Sequence, residues 1–231
     1  MKIKQNVILL ERGAFATSPE WVAIRVEIHA AIETAEWPVG AGSFKIYPES
    51  GKKSGQGNGV VPIKAKPMSV LAKDGWTLEY PWTVAGKSTG LSGKGTKPGN
   101  IDAAKDFPAG LVVVEWETGN ISSSHRAVNK MALGLILRKC IAGVLVVPNM
   151  KLAQYLTDRI GNIEELLPYA PMWRALDLKE GVLELVVIEQ DADDLEVPRI
   201  PKGQDGRAKE GADKVKKKRR KSRRKLRSKS S

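Results

Sequence analysis

The stretch from Leu111 to Pro148 constrains this chain most. LVVVEWET at 111–118 is β-branched and apolar, GVLVVP at 143–148 is a second apolar run, and Ala127, Val128, Met131, Leu135 and Ile136 recur between them at helical spacing. That order predicts a strand, a crossover helix and a parallel strand. GVLELVVIE at 181–189 predicts a further strand of the same sheet. Strands in a parallel crossover unit are normally buried on both faces. The expected fold class is therefore α/β, a central mixed β-sheet flanked by helices.

Elsewhere the signals are more local. Ser18-Pro19-Glu20 reads as a helix cap with proline in the first turn, and Trp21, Ile24, Ile28 and Ile32 follow on one face, predicting a helix over about 19–34. From Trp37 to Lys64 the chain is rich in Gly, Pro and Ser, with a short alternating strand expected at Phe44–Tyr47 and a turn at Gly57-Asn58-Gly59. A second glycine-rich stretch, 85–100, is expected to be an exposed, mobile loop. No internal repeat is found.

The charge is segregated. Of the 38 Lys and Arg, 14 lie in residues 207–231 beside only Glu210 and Asp213, so that segment holds the whole net charge of +12 and residues 1–206 carry 24 of each sign. This divides the chain into one domain, 1–206, and a Lys/Arg-rich tail, 207–231, that cannot bury enough to fold alone. A basic tail implies a polyanionic partner, and it also looks like a nuclear localisation signal. No run approaches the roughly 18 apolar residues of a membrane helix, and the N-terminus does not fit a signal peptide. A soluble intracellular protein is expected. The single cysteine, Cys140, excludes an internal disulfide framework and a cysteine-rich zinc site, and two histidines support a histidine metal site poorly.

Within the first apolar run, alternation puts Glu115 and Glu117 on one side and Val114 and Trp116 on the other, with the two acids about 7 Å apart. A solvated edge strand would explain the pair. In a strand buried on both faces, acids without cationic partners instead call for a metal or for protonation. Asp102, thirteen residues before Glu115, adds a third carboxylate. Such a set suits magnesium, which takes a few carboxylate oxygens and fills its shell with water and substrate phosphate. The implied chemistry is metal-assisted phosphodiester hydrolysis. Directly after the acids, Thr118-Gly119-Asn120-Ile121-Ser122-Ser123-Ser124-His125-Arg126 enters the crossover helix. Helix N-termini attract phosphate, and Asn and Arg make bidentate contacts with adenine and guanine edges. The serines would equally serve as capping residues.

EWETGNISSSHR followed by NKMALG closely resembles the active-site region of the BamHI-like type II restriction endonucleases, a branch of the PD-(D/E)xK nuclease superfamily. The resemblance extends through WP near 37, NGVVPIK at 58–64, GWTLEYP at 75–81, YLTDR at 155–159 and IPKGQDGR at 200–207. It implies the restriction-endonuclease-like fold, a homodimer matched to a palindromic site, magnesium as cofactor, double-stranded DNA as partner and substrate, and a companion DNA methyltransferase in a bacterial cytoplasm. By the same resemblance Asp102 and Glu115 are metal ligands and Glu79 is a further acid near the metal. Glu117 stands where most of the superfamily has lysine, and would orient or deprotonate the attacking water. Asn120, Ser122, Arg126, Asp158 and Arg159 are assigned to the major groove, Asp205 and Gly206 to base or minor-groove contacts, and Lys64 to backbone phosphate. The recognition site the resemblance implies is GGATCC, with another GATC-centred palindrome as the alternative.

Cys140 reads as a packed thiol, His29 as structural or exposed, and His125 as without catalytic role. A non-cleaving DNA-binding protein is the competing function, and an RNA-associated or chromatin protein defined by its tail leaves the motifs of residues 1–206 unexplained.

Overall fold

The computed structural model describes residues 1–51, 56–83, 99–157 and 160–202. Its elements run β1 (Lys2–Arg12), α1 (Pro19–Glu33), β2 (Lys45–Ile46), α2 (Val61–Lys73), β3 (Thr77–Tyr80), β4 (Ile101–Phe107), β5 (Gly110–Trp116), α3 (Ile121–Ile136), β6 (Ala142–Pro148), α4 (Met150–Ala153), α5 (Ile163–Leu166), α6 (Ala170–Arg174), β7 (Gly181–Glu189) and β8 (Ala192–Asp193). Six strands form one sheet in the order β1-β7-β6-β5-β4-β3. Its centre is the parallel trio β5, β6 and β7, flanked by antiparallel β1 on one side and by β4 and β3 on the other.

The crossover predicted from the apolar runs is present as β5-α3-β6, with Val114 level with Val144. Every residue of β6 and β7 is buried, as expected where both faces of a parallel sheet are covered. Alternate residues of β5 serve two different cores. Val112, Val114 and Trp116 join Trp21, Ile24 and Ile28 of α1, whereas Val113 joins Ala127, Val128 and Met131 of α3. Glu115 and Glu117 therefore face the α3 side, as the alternation requires. α3 lies close on the sheet because Gly143 has no side chain: a Cβ there would stand 2.8 Å from Cβ of Met131.

α1 begins as read, with the Ser18 hydroxyl accepting from the Trp21 amide at 3.1 Å. Three features differ from expectation. The strand expected at Phe44–Tyr47 contracts to two residues and pairs with β8, not with the main sheet. The irregular stretch ends early, because α2 starts at Val61 and buries Ile63, Pro67, Met68 and Leu71. Pro67 inside this helix hid it, since an interior proline normally ends a helix. Finally, KIKQNVILLER forms the edge strand β1, paired along most of β7 with two register irregularities. Those irregularities account for its poor alternation in sequence. Of the glycine-rich stretch 85–100, residues 85–98 lie outside the described residues.

Candidate active site

Where β4, β5 and the head of α3 meet, a cleft of about 560 Å³ is lined by Gly99, Asn100, Asp102, Glu115, Glu117, Ser123, Arg126, Ala127 and Lys130. Each acid is delivered by a different constraint. Glu115 is the penultimate residue of β5 and is 4% exposed. Glu117 follows the strand, and its amide still donates to the Val146 carbonyl at 3.0 Å, so β6 holds it in line. Asp102 precedes the registered pair Ala103–Val114. One of its oxygens accepts from the Trp116 amide at 2.7 Å, the other from Lys64 of α2 at 2.5 Å.

The expectation that these acids lack cationic partners does not hold. Lys130 of α3, itself 8% exposed, forms an ion pair with Glu115, and Lys64 pairs with Asp102. Spacing along β5 could not reveal these lysines, which arrive on two separate helices. Even so, burial pushes the Glu115 carboxyl up to about 7, opposed by Lys130 and reinforced by Asp102 and Glu117. Glu117 is raised for the same reason, burial first and then Asp102, with Arg126, the Gly119 amide and Lys64 acting against it. A carboxylate raised in this way holds a proton more readily at neutral pH, which suits proton transfer.

The donors that could hold a metal are all carboxylate oxygens, and neither histidine nor Cys140 lines the cleft. This set fits a hard cation of the magnesium class. Among the described residues no three Asp, Glu, His or Cys side chains form a ready cage. Magnesium does not require one, because water and substrate phosphate complete its shell.

Glu79 is not among the lining residues. It sits in β3 between the registered pairs Leu78–Ala103 and Tyr80–Ile101, hence level with Asp102. Its side chain is exposed and its backbone is held at φ 49°. A non-glycine residue in that region is strained.

Asn120, Ser122 and Arg126 are exposed together at the head of α3. The Asn120 side chain also caps the helix, accepting from the Ser123 amide at 3.2 Å. Lys64 is 31% exposed and engaged with Asp102. Asp158, Arg159, Asp205 and Gly206 lie outside the described residues. The chain immediately after Arg159 runs against the same helix head, with an Asn120–Ile160 bridge and the Gly161 amide donating to the Gly119 carbonyl at 2.8 Å. The residue most clearly missed by the sequence reading is Lys130. Helical spacing puts Lys130 on one face of α3 with Ser123, Arg126 and Ala127, but it does not say that this face meets Glu115.

Cys140 is buried, and burial pushes its thiol up to about 12, which leaves it inert. His125 packs edge-on against Tyr169 at 4.5 Å. His29 is half-buried, its pKa lowered by burial and by Arg25. No helix among the described residues is long and apolar enough to cross a membrane.

Known proteins resemble this chain in both sequence and fold. The model of the BamHI restriction endonuclease family matches residues 1–207. The type II restriction enzyme OkrAI of Oceanobacter kriegii is 44% identical over 208 residues, 90% of this chain and 99% of that one. The type II restriction enzyme BamHI of Bacillus amyloliquefaciens is 35% identical over 189 residues, 79% of this chain and 81% of that one. In fold, the crystal structure of restriction endonuclease BglII complexed with a DNA 16-mer matches with a TM-score of 0.57 over 87% of this chain and 88% of that one, at 12% identity. The mixed sheet and its flanking helices are thus those of the restriction-endonuclease-like fold, and the chain belongs to the BamHI family of type II restriction endonucleases.

Proposed function

We propose that this chain works as a homodimer that hydrolyses one phosphodiester bond in each strand of a palindromic duplex site, GGATCC, with magnesium as cofactor. The observation that carries the reading is the single cleft that joins Asp102, Glu115 and Glu117 to Ser123 and Arg126 of α3. Carboxylates alone would repel a phosphodiester. Set beside exposed polar groups at a helix N-terminus, they instead form a place where a phosphate can be held and cut.

Asp102 and Glu115 would hold the metal, with Glu79 as a further acid beside Asp102. Magnesium bound there would activate water and stabilise the charge that develops on phosphate. The chain's own groups perform the remaining work. Glu117, raised by burial, accepts the proton of the attacking water. Lys130 keeps Glu115 from repelling its neighbours in the buried floor of the cleft. Asn120, Ser122 and Arg126, with Asp158 and Arg159, read base edges in the major groove. Asp205 and Gly206 read bases near the C-terminal end of the body, and Lys64 divides its charge between Asp102 and the DNA backbone. Identity of 44% and 35% with two type II restriction enzymes supports the catalytic reading, and the recognition sequence follows the family resemblance. A symmetric dimer matches a palindrome because each half-site then meets the same surface. The setting is a bacterial cytoplasm with a companion methyltransferase protecting host DNA.

The test is a supercoiled plasmid carrying one GGATCC, incubated with the full chain and magnesium. Linear product with ends inside GGATCC supports the reading. Ends in another sequence correct the site alone, and a retarded but intact plasmid points to a non-cleaving binder.

A further inference from the structure

We propose that Lys130 is a positioning residue that couples base reading by α3 to the placement of Glu115 and Asp102. The inference rests on the endonuclease reading above and extends it to a residue outside the carboxylate set. Its side chain is 7% exposed and ion-paired with Glu115, whose own side chain is 5% exposed. The same ammonium donates to the carbonyl of Asn100 at 2.6 Å. Asn100 lies two residues before Asp102, on the stretch that leads into β4. One cation thus ties together the helix that presents Asn120, Ser122 and Arg126, the strand that presents Glu115, and the segment that presents Asp102.

The geometry makes this a link. Arg126 and Lys130 are one turn apart on the cleft face of α3. The helix runs unbroken from Ile121 to Ile136, so a shift of its head on meeting bases is carried to Lys130 as a rigid displacement. At Lys130 no solvent shell absorbs the movement, because the ammonium and its carboxylate partner are both buried. Glu115 and the Asn100 backbone must follow. A physical coupling of this kind needs two groups that respond to one element, and Lys130 supplies the shared point.

The experiment compares the wild-type full chain with Lys130→Met, which keeps the aliphatic stem and removes the charge, and Lys130→Arg, which keeps the charge. Single-turnover cleavage with magnesium is measured on a duplex bearing the mapped cut site and on duplexes with one base pair changed. Affinity is measured on the same duplexes without divalent metal. Lys130→Met is expected to cut the mapped site about 10–100-fold more slowly, the usual range for groups that orient metal ligands, with affinity kept within about three-fold of wild type. Cutting at changed sites should fall much less, so that discrimination narrows, and Lys130→Arg should recover part of the rate. Equal losses at mapped and changed sites, an undiminished rate, or an arginine variant as slow as the methionine variant would each overturn the proposal. Should the methionine variant not fold, Lys130→Gln, which keeps a donor for Asn100, carries the same comparison. A wild-type chain that cuts no DNA overturns the endonuclease reading and this proposal with it. A cutting wild type with unchanged discrimination in the variants overturns this proposal alone.

Discussion

Lys130 and Glu115 form an ion pair on the floor of the cleft, with side chains only 7% and 5% exposed. Removing one member of a buried pair leaves the other charged group without its partner, which costs about 3–5 kcal/mol. Glu115→Ala is therefore expected to do two separable things. It abolishes cleavage while leaving specific DNA binding intact or stronger, and it lowers stability by an amount of that order. The double variant Glu115→Ala/Lys130→Met should regain most of the stability and none of the activity. Denaturant unfolding and plasmid cleavage on the single and double variants check this, and near-wild-type cutting by Glu115→Ala would place the metal elsewhere.

The proton on Glu115 sets a pH dependence. Burial, against Lys130 and with Asp102 and Glu117, lifts its carboxyl to about 7, so below that value a cation must displace a proton to bind the carboxylate. The magnesium concentration for half-maximal cleavage should fall as pH rises through 7, by about tenfold per unit on the acid side for one displaced proton. Magnesium titrations about one unit either side of 7 measure it. A requirement that does not change across this window would mean that no proton leaves Glu115 on binding.

Gly161 holds the segment that follows Asp158 and Arg159 against the head of α3. A Cβ at this glycine would stand 2.8 Å from Cα of Ile121 and 2.8 Å from Oγ of Ser124, and the helix backbone cannot yield as a side chain can. Gly161→Ala should cost about 1–3 kcal/mol through overpacking. It should also weaken specific DNA binding more than nonspecific binding, because it shifts against each other the two segments proposed to read bases. Gel shifts on site-bearing and random duplexes test this, and equal losses on both would show that the effect is one of folding alone.

The tail separates affinity from specificity. Residues 207–231 hold the entire charge excess, so truncation after Arg207 should leave the cut sequence unchanged while nonspecific affinity falls. Each phosphate that the shortened protein no longer neutralises makes the negative slope of log affinity against log salt shallower by about 0.9. Nonspecific binding across a salt series, with and without the tail, reads this directly. Equal slopes would mean the tail does not touch DNA, and a changed cut site would mean it helps read bases.

By itself the sequence determined the elements whose signals are local. The β5-α3-β6 crossover follows from apolar runs and helical spacing, the start of α1 from its serine cap, and the common face of Glu115 and Glu117 from strand alternation. Its separated motifs, in family order, were enough to name the family. Long-range partners were decided only by the tertiary structure. Lys64 meets Asp102 across 38 positions of the chain, Lys130 arrives from the middle of α3, and β1 finds β7 at the opposite end of the body. Pairings of this kind depend on which elements pack together, and no local period encodes them. The same holds for charge: a count of acids along one strand says nothing of the cations that helices bring to it. Burial of Glu115, its raised carboxyl and its tie to α3 through Lys130 arise from that packing.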